Sequence, residues 1–256
     1  MSEPDSGKID YFTLGLRDAM LSGWYNQEKG ELMTGFPVAA EDVVVDVGCG
    51  DGGAAAFCAR QGAHVILADA DAERLKAAAA RLSSSPARGL QAYVTQGDPL
   101  PLADASVTRV ICTEVLEHVD DPQRFISELV RVGRPGALYL LTVPGAAQEH
   151  VQEAIAPPAY FQKPNHIRIF ESHAFQALVE QAGLIIEHRT GYSFYWSVWW
   201  ALFWQTDVEL GGSHPSLDAW ASTWSQVLEG KDGLRIKSAL DAVLPKAQAI
   251  VARKPG

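Results

Sequence analysis

The chain has 256 residues, 47% of them hydrophobic, and its 31 acidic against 21 Lys and Arg side chains give a formal charge of −10. That apolar content supplies one core and an appendage, so a single domain with an insertion is the economical organisation. The acidic balance excludes unspecific attraction to nucleic acid, and no apolar run reaches the ~18–20 residues of a membrane span. A cytoplasmic protein with a neutral or cationic substrate is therefore expected.

The N-terminal stretch MSEPDSGKIDYF has no basic region followed by an apolar one, so no leader is expected there. Residues 1–40 read as a helical cap, with Tyr11, Trp24 and Tyr25 placed to close over a ligand. The first strong signal is VVVDVGCGDGG, residues 43–53. Its β-branched valines predict a buried strand over 43–47, and Gly48, Gly50, Gly52 and Gly53 follow where that strand should end. Glycines at a strand-to-helix turn permit positive φ and bring the backbone close to a ligand at the next helix N-terminus. Nicotinamide and flavin enzymes share such turns. Here Asp46 and Asp51 would repel a pyrophosphate, so the turn suits a cationic ligand instead.

Further along, residues 64–68 predict a second strand, followed by a helix over 73–82 with Asp71 as N-cap. SSSPARG ends that helix. Strands are predicted over 92–96, 107–112 and 137–143, with a helix over 121–132 stopped by Gly133 and Pro135. Ser172 caps a helix through Ala182, Gly183 is its C′ residue, and 184–189 is a sixth strand. The alternation implies a mostly parallel sheet with helices on both faces. Cys49, Cys58 and Cys112 are odd in number and lack metal-ligand spacing, which reads as reduced structural thiols.

Four blocks in this order and spacing, VVVDVGCGDGG, HVILADAD (64–71), QGDPLPLADAS (96–106) and TEVLEHVDDP (113–122), resemble the class I S-adenosylmethionine-dependent methyltransferases, especially their quinone-biosynthesis-like small-molecule branch. RPGALYLLTVPG and HIRIFESHAFQALVEQAGL extend the resemblance, which covers roughly residues 41–189. Thr108 and Arg109 depart from it, since relatives usually carry a Phe-Asp-like pair there. The resemblance implies a Rossmann-like α/β fold: a seven-stranded, mostly parallel sheet with helices on both faces and a last strand, 248–252, antiparallel near one edge. It divides the chain into an N-terminal cap (1–40), a cofactor-binding core (41–190), an insertion (191–246) and the last strand with a tail (247–256). The insertion holds six of the seven tryptophans and the run FYWSVWWALFW, apolar almost all round at helical spacing. Such a run fits a local core or a homodimer interface first, an acceptor pocket second and a membrane surface third.

The resemblance implies S-adenosyl-L-methionine as cofactor, leaving S-adenosyl-L-homocysteine. Gly48 and Gly50 would lie along its methionine part and Asp46 would face its ammonium. Asp69, about twenty residues past the glycines, would accept the ribose hydroxyls. Asp98 would accept from the adenine amino group, with Ala70, Gly97 and Pro99 beside the ring, and Thr113 would border the methionine chain. His166 is the first candidate base, His150 the second and His118 the third, although the stretch around His166 and Arg168 also reads as a docking segment. Glu114, Glu117 and His118 have i, i+3, i+4 spacing that imitates a metal site, yet no further ligand cluster is visible, so no metal is expected. The reading is O-methylation of a small-molecule, lipid-linked or glycan-type acceptor. A silent scaffold of the same fold is the alternative, and a dehydrogenase is disfavoured by the acids in the turn.

Overall fold

The structure is a computed structural model that describes residues 10–256. Its first helix, α1 (Tyr11–Leu21), begins where the Asp10 carboxylate accepts from the Phe12 amide at 3.1 Å. Helical structure then stops. Gly23, Gly30 and Gly35 all take positive φ, and the chain forms three short antiparallel strands, β1 (Trp24–Asn26), β2 (Glu31–Met33) and β3 (Phe36–Pro37). Residues 11–37 thus form a helix followed by a small sheet, where helix throughout was expected, and residues 1–9 of the expected cap lie outside the described residues.

The central strand, β4 (Val43–Val47), falls on the predicted residues, and its glycine turn leads into α2 (Gly53–Arg60). β5 (His64–Asp69) and α3 (Ala72–Leu82) follow, with the Asp71 carboxylate accepting from the amides of Glu73 and Arg74. β6 (Gly89–Val94) starts three residues before the predicted strand. Its register pairs Gly89 with His64, and a Cβ at Gly89 would collide with the His64 ring, so this glycine belongs to the strand and not to the preceding loop.

β7 (Val107–Thr113) is anchored at its start by Thr108 and Arg109, the two residues that departed from the family pattern. The Thr108 hydroxyl donates to Asp42 at 2.7 Å and Arg109 pairs with the same carboxylate at 3.1 Å. Next come α4 (Pro122–Val132), N-capped by Asp121, and β8 (Gly133–Pro144), which begins directly at Gly133. α5 (Ala146–Ile155) was not foreseen. The chain closes with α6 (Ser172–Gln181), β9 (Ile185–Tyr192), the inserted helices α7 (Phe194–Phe203), α8 (Pro215–Glu229) and α9 (Gly233–Val243), and β10 (Ala247–Arg253). Ser172 is the first helical residue and not a side-chain cap, and Gly183 ends α6 at φ +83°.

The large sheet has the order β6-β5-β4-β7-β8-β10-β9, with only β10 antiparallel to its neighbours. The strand order reverses its course between the parallel neighbours β4 and β7, and ligands of open α/β sheets bind outside the carboxyl ends at such a switch point. Alternating residues serve opposite faces. Val45 and Val47 pack with Phe125 and Ile126 of α4, whereas Val44 packs with Phe57 and Cys58 of α2. A third core joins α1 to the insertion through Tyr11, Leu14, Trp199 and Trp224, so the aromatic run mainly fills a core of its own chain. No helix among the described residues is long and apolar enough to cross a membrane.

Candidate functional site

The glycine turn is pinned to the end of β5. The amides of Gly48 and Cys49 donate to the Ala68 carbonyl at 2.8 and 3.2 Å, and the Gly50 amide donates to Asp69 Oδ2 at 2.8 Å. Asp69 Oδ1 accepts from the Asp71 amide at 2.9 Å, so the carboxylate is fixed at the rim of the turn. Gly48 sits at φ +72° with Val115 where a Cβ would be, and at Gly50 a Cβ would meet nothing within 4 Å. The first is a packing demand, and the second keeps open space beside the turn.

That space is a cavity of ≈ 590 Å³ lined by Gly48, Gly50, Asp69, Ala70 and Gly97 and also by Glu114, His118 and Asn165. Its size falls within the ~300–1,000 Å³ of small-molecule sites. Five of the expected cofactor residues meet here. Asp98 and Pro99 do not: Asp98 pairs with Arg124 at 2.6 Å, the Pro99 carbonyl accepts from Thr95, and neither lines the cavity. Arg124, near the start of α4, holds the Asp98 carboxylate in an ion pair outside the cavity lining.

A second cavity of ≈ 250 Å³ adjoins the turn, lined by Trp24, Tyr25, Asp46, Thr113, Glu114 and Tyr192 among others. Glu114 lines both cavities. It and Tyr25 hold φ of 55° and 56°, a left-handed backbone that non-glycine residues rarely adopt and that concentrates at functional sites. Asp46 is fully buried and its Oδ1 has no hydrogen-bond partner. Burial pushes its pKa up to about 7, the Ala55 amide works against this, and the charges of Asp69 and Asp51 add to it. Burial likewise holds the Tyr25 phenol and the Cys49 thiol at about 12, which leaves Cys49 a poor nucleophile. Cys58 and Cys112 are pushed up by burial too.

Beyond Glu114 lies a buried polar cluster that strand and helix periodicity did not reveal. Glu114 accepts from Thr142 Oγ1 at 3.1 Å and pairs with Lys246 at 3.3 Å. Burial acts to lower the Lys246 pKa, but Glu114, Glu149 and Glu117 together reverse this and raise it. Glu117 is fully buried with neither oxygen hydrogen-bonded, and burial followed by the charge of Glu114 lifts its pKa well above the usual carboxylate range. Gln148 and Gln152 of α5 are buried beside unpaired amide atoms of their own, and the Trp204 indole donates to Gln152.

The histidines separate. His166 Nδ1 meets Glu149 Oε2 at 2.7 Å, with its ring 4.6 Å from that of Tyr160 and 5.1 Å from that of His118. It borders the buried cluster but lines neither cavity; His118, third in the sequence ranking, lines the larger one. The segment also docks: the Ile167 amide donates to Glu117 O at 3.0 Å and Arg168 donates to Val119 O at 2.8 Å. His150 lies on the surface between Glu153 and Glu171, 2.8 Å from each, and the structure does not bring it to either cavity.

A glycine turn at a topological switch point, an aspartate after the second strand and an acidic crevice define an α/β protein built for a cationic nucleoside cofactor. Comparisons with known proteins sharpen this. Residues 45–141 match the family described as a methyltransferase domain. The chain is 31% identical over 150 residues to a probable S-adenosylmethionine-dependent methyltransferase of Mycolicibacterium smegmatis, covering 58% of this chain and 54% of that protein. It is 26% identical over 156 residues to a ubiquinone biosynthesis O-methyltransferase of Parvibaculum lavamentivorans, covering 59% and 61%. Among solved structures, geranyl diphosphate C-methyltransferase from Streptomyces coelicolor, in complex with S-adenosyl-L-homocysteine, superposes with a TM-score of 0.59 at 14% identity, covering 95% of this chain and 77% of that one. Residues 45–141 thus carry a methyltransferase domain, and the relatives this chain is similar to include a probable S-adenosylmethionine-dependent methyltransferase. The chain spans a little over half the length of the two curated relatives named.

Proposed function

We propose that this chain transfers a methyl group from S-adenosylmethionine to a hydroxyl oxygen of a small, largely apolar acceptor. The observation that carries the reading is the pair of cavities meeting at Glu114, one beside the glycine turn and Asp69, the other walled by Trp24, Tyr25 and Tyr192. The cofactor brings an electrophilic methyl on a sulfonium, so the chain's own share is positioning, charge and water exclusion. Gly48 and Gly50 keep the backbone open to it, and Asp69 offers its remaining carboxylate lone pairs to the ribose hydroxyls. Asp46, with Oδ1 free and Thr113 nearby, faces the ammonium. Ala70 and Gly97 flank the base, without Asp98.

Aromatic walls favour an acceptor with a flat or isoprenoid-like body, and the similarity to an O-methyltransferase supports oxygen as the atom methylated. We assign Glu114 at the junction to receive the hydroxyl proton, in place of His166 and His150, which line neither cavity. The test uses purified protein, S-adenosylmethionine labelled on its methyl group and an extract of small molecules. Label should enter an alkali-stable, organic-soluble product, and Glu114→Gln should lower kcat while S-adenosylhomocysteine still binds. Absence of any cofactor binding by the folded wild type overturns the reading.

A further inference from the structure

We propose that Glu117, His118 and His166 form a binding site for one divalent cation of borderline softness, taking Zn2+ or Co2+ in preference to Mg2+. One ligand atom from each of the three lies within 4.8 Å of the others. Glu117 and His118 are neighbours just past β7. His166 joins them only because the Ile167 amide and the Arg168 guanidinium dock onto the carbonyls of Glu117 and Val119.

Both histidines are held in the orientation a metal ligand needs. His118 Nδ1 lies 3.1 Å from the Pro164 carbonyl, which can only accept, so Nδ1 carries the proton and Nε2 keeps its lone pair. That Nε2 is 3.8 Å from Glu117 Oε1, too far for a hydrogen bond and suited to a shared third atom. His166 Nδ1 is bound by the Glu149 carboxylate at 2.7 Å, which again leaves Nε2 free. A carbonyl or carboxylate behind the ring is the outer arrangement that orients metal-bound histidines.

Glu117 supplies the independent observation. It is fully buried beside both imidazoles, yet neither oxygen has a hydrogen-bond partner among the described residues. Lys246 reaches Glu114 and not Glu117. A carboxylate left bare in the interior is costly unless a cation meets it. Two imidazoles and one carboxylate match zinc-type donor sets with open positions, whereas Mg2+ prefers oxygen donors alone. The larger cavity reaches the cluster at His118. On the methyl-transfer reading above, on which this consequence alone rests, a cation there would acidify an acceptor hydroxyl facing Glu114.

The test is binding to the full, metal-stripped chain, independent of activity. CoCl2 should bind one equivalent per chain with visible d–d absorption, and ZnCl2 should raise Tm where MgCl2 at the same concentration does not. His118→Ala, on a partly exposed ring, and Glu117→Gln should each weaken binding at least about tenfold, and Glu149→Gln about 10–100-fold. Circular dichroism identifies the natively folded variants. No stoichiometric Co2+ binding and no Zn2+ shift in the wild type overturn the site. So does binding that survives both His118→Ala and Glu117→Gln in folded protein, which would mark a cation held elsewhere.

Discussion

Two buried charged clusters in this molecule differ in how their charges are answered. Between α1 and the insertion, Lys237 sits among Asp241, Ser22 and Asp18, the last at 3.5 Å. The Trp224 indole donates to Asp18 at 2.8 Å and the Phe194 amide donates to Asp241 at 2.9 Å. Here the chain supplies the cation and most of the donors itself, and the one carboxylate oxygen without a hydrogen bond, Asp18 Oδ2, still faces Lys237 at 3.5 Å. At the end of β7, by contrast, Glu117, Gln148 and Gln152 keep unpaired polar atoms beside Glu149 and two histidines. A closed cluster fastens elements together, whereas an open one is arranged for something the chain does not contain.

Breaking each cluster should expose the difference. Lys237→Met strands two buried carboxylates and should cost about 3–5 kcal/mol, seen as a fall in the urea midpoint. Glu117→Gln replaces a carboxylate that already lacks partners and should move that midpoint by less than about 1 kcal/mol. If the two substitutions cost the same, the clusters are not different in kind.

Asp69→Ala removes a charged acceptor from the rim of the glycine turn. Hydrogen bonds to charged groups contribute about 1.5–3 kcal/mol, so S-adenosylhomocysteine affinity should drop more than about tenfold by calorimetry, with the fold intact.

Asp46 makes its cluster pH-dependent. Its folded pKa, about 7, lies above the ordinary 3.8, so between these values the folded chain holds a proton that the unfolded chain has released. Its contribution to stability is therefore full below about pH 4 and is lost as pH rises to about 7. Cofactor binding should run the other way and strengthen with rising pH up to about 7, as the carboxylate that faces the ammonium ionises. Asp46→Asn should flatten both dependences, leaving a smaller stability slope from Asp18, whose pKa burial lifts to about 6. Thermal melts and titrations from pH 5 to 8 check the signs.

A modest effect is expected at the join of insertion and crevice. Trp204→Phe removes the indole donor to Gln152 and should cost about 1 kcal/mol, with a change in acceptor KM that is larger than the change in kcat.

Local chemistry explains which parts of this arrangement were legible from residue order. Strand β4 fell on residues 43–47 because a run of valines closed by a glycine turn has one sensible backbone, and Asp71 capped α3 as its side chain dictates. Gly89 misled because a glycine ahead of a strand looks like a loop until the His64 ring is laid over it. The small N-terminal sheet was missed because each of its strands has only two or three residues, too few for a period to show. At the site, turn chemistry, spacing and the family resemblance pointed to the glycines, Asp46, Asp69 and Thr113, which line the two cavities, whereas the pairing of Asp98 with Arg124 had no signal in residue order. Tyr192, Glu149 and Lys246 carried no local signal, and Glu114 carried only a spacing that imitates a metal site. They matter because β7, β9, α5 and the start of β10 converge, and only Glu114 sits within a motif.

The sequence alone determined the alternating sheet, the acidic glycine turn that favours a cationic cofactor, and a tryptophan-rich insertion after the sixth predicted strand. These depend on backbone preference and side-chain period within a few residues of each other. Only the tertiary structure decided that His166 docks against Glu117 and His118, that Glu114 stands where two cavities meet, and that most of the tryptophans fill a core with α1. Such meetings join residues tens to hundreds of positions apart, and their positions follow from how the loops close and what the buried groups find when they arrive.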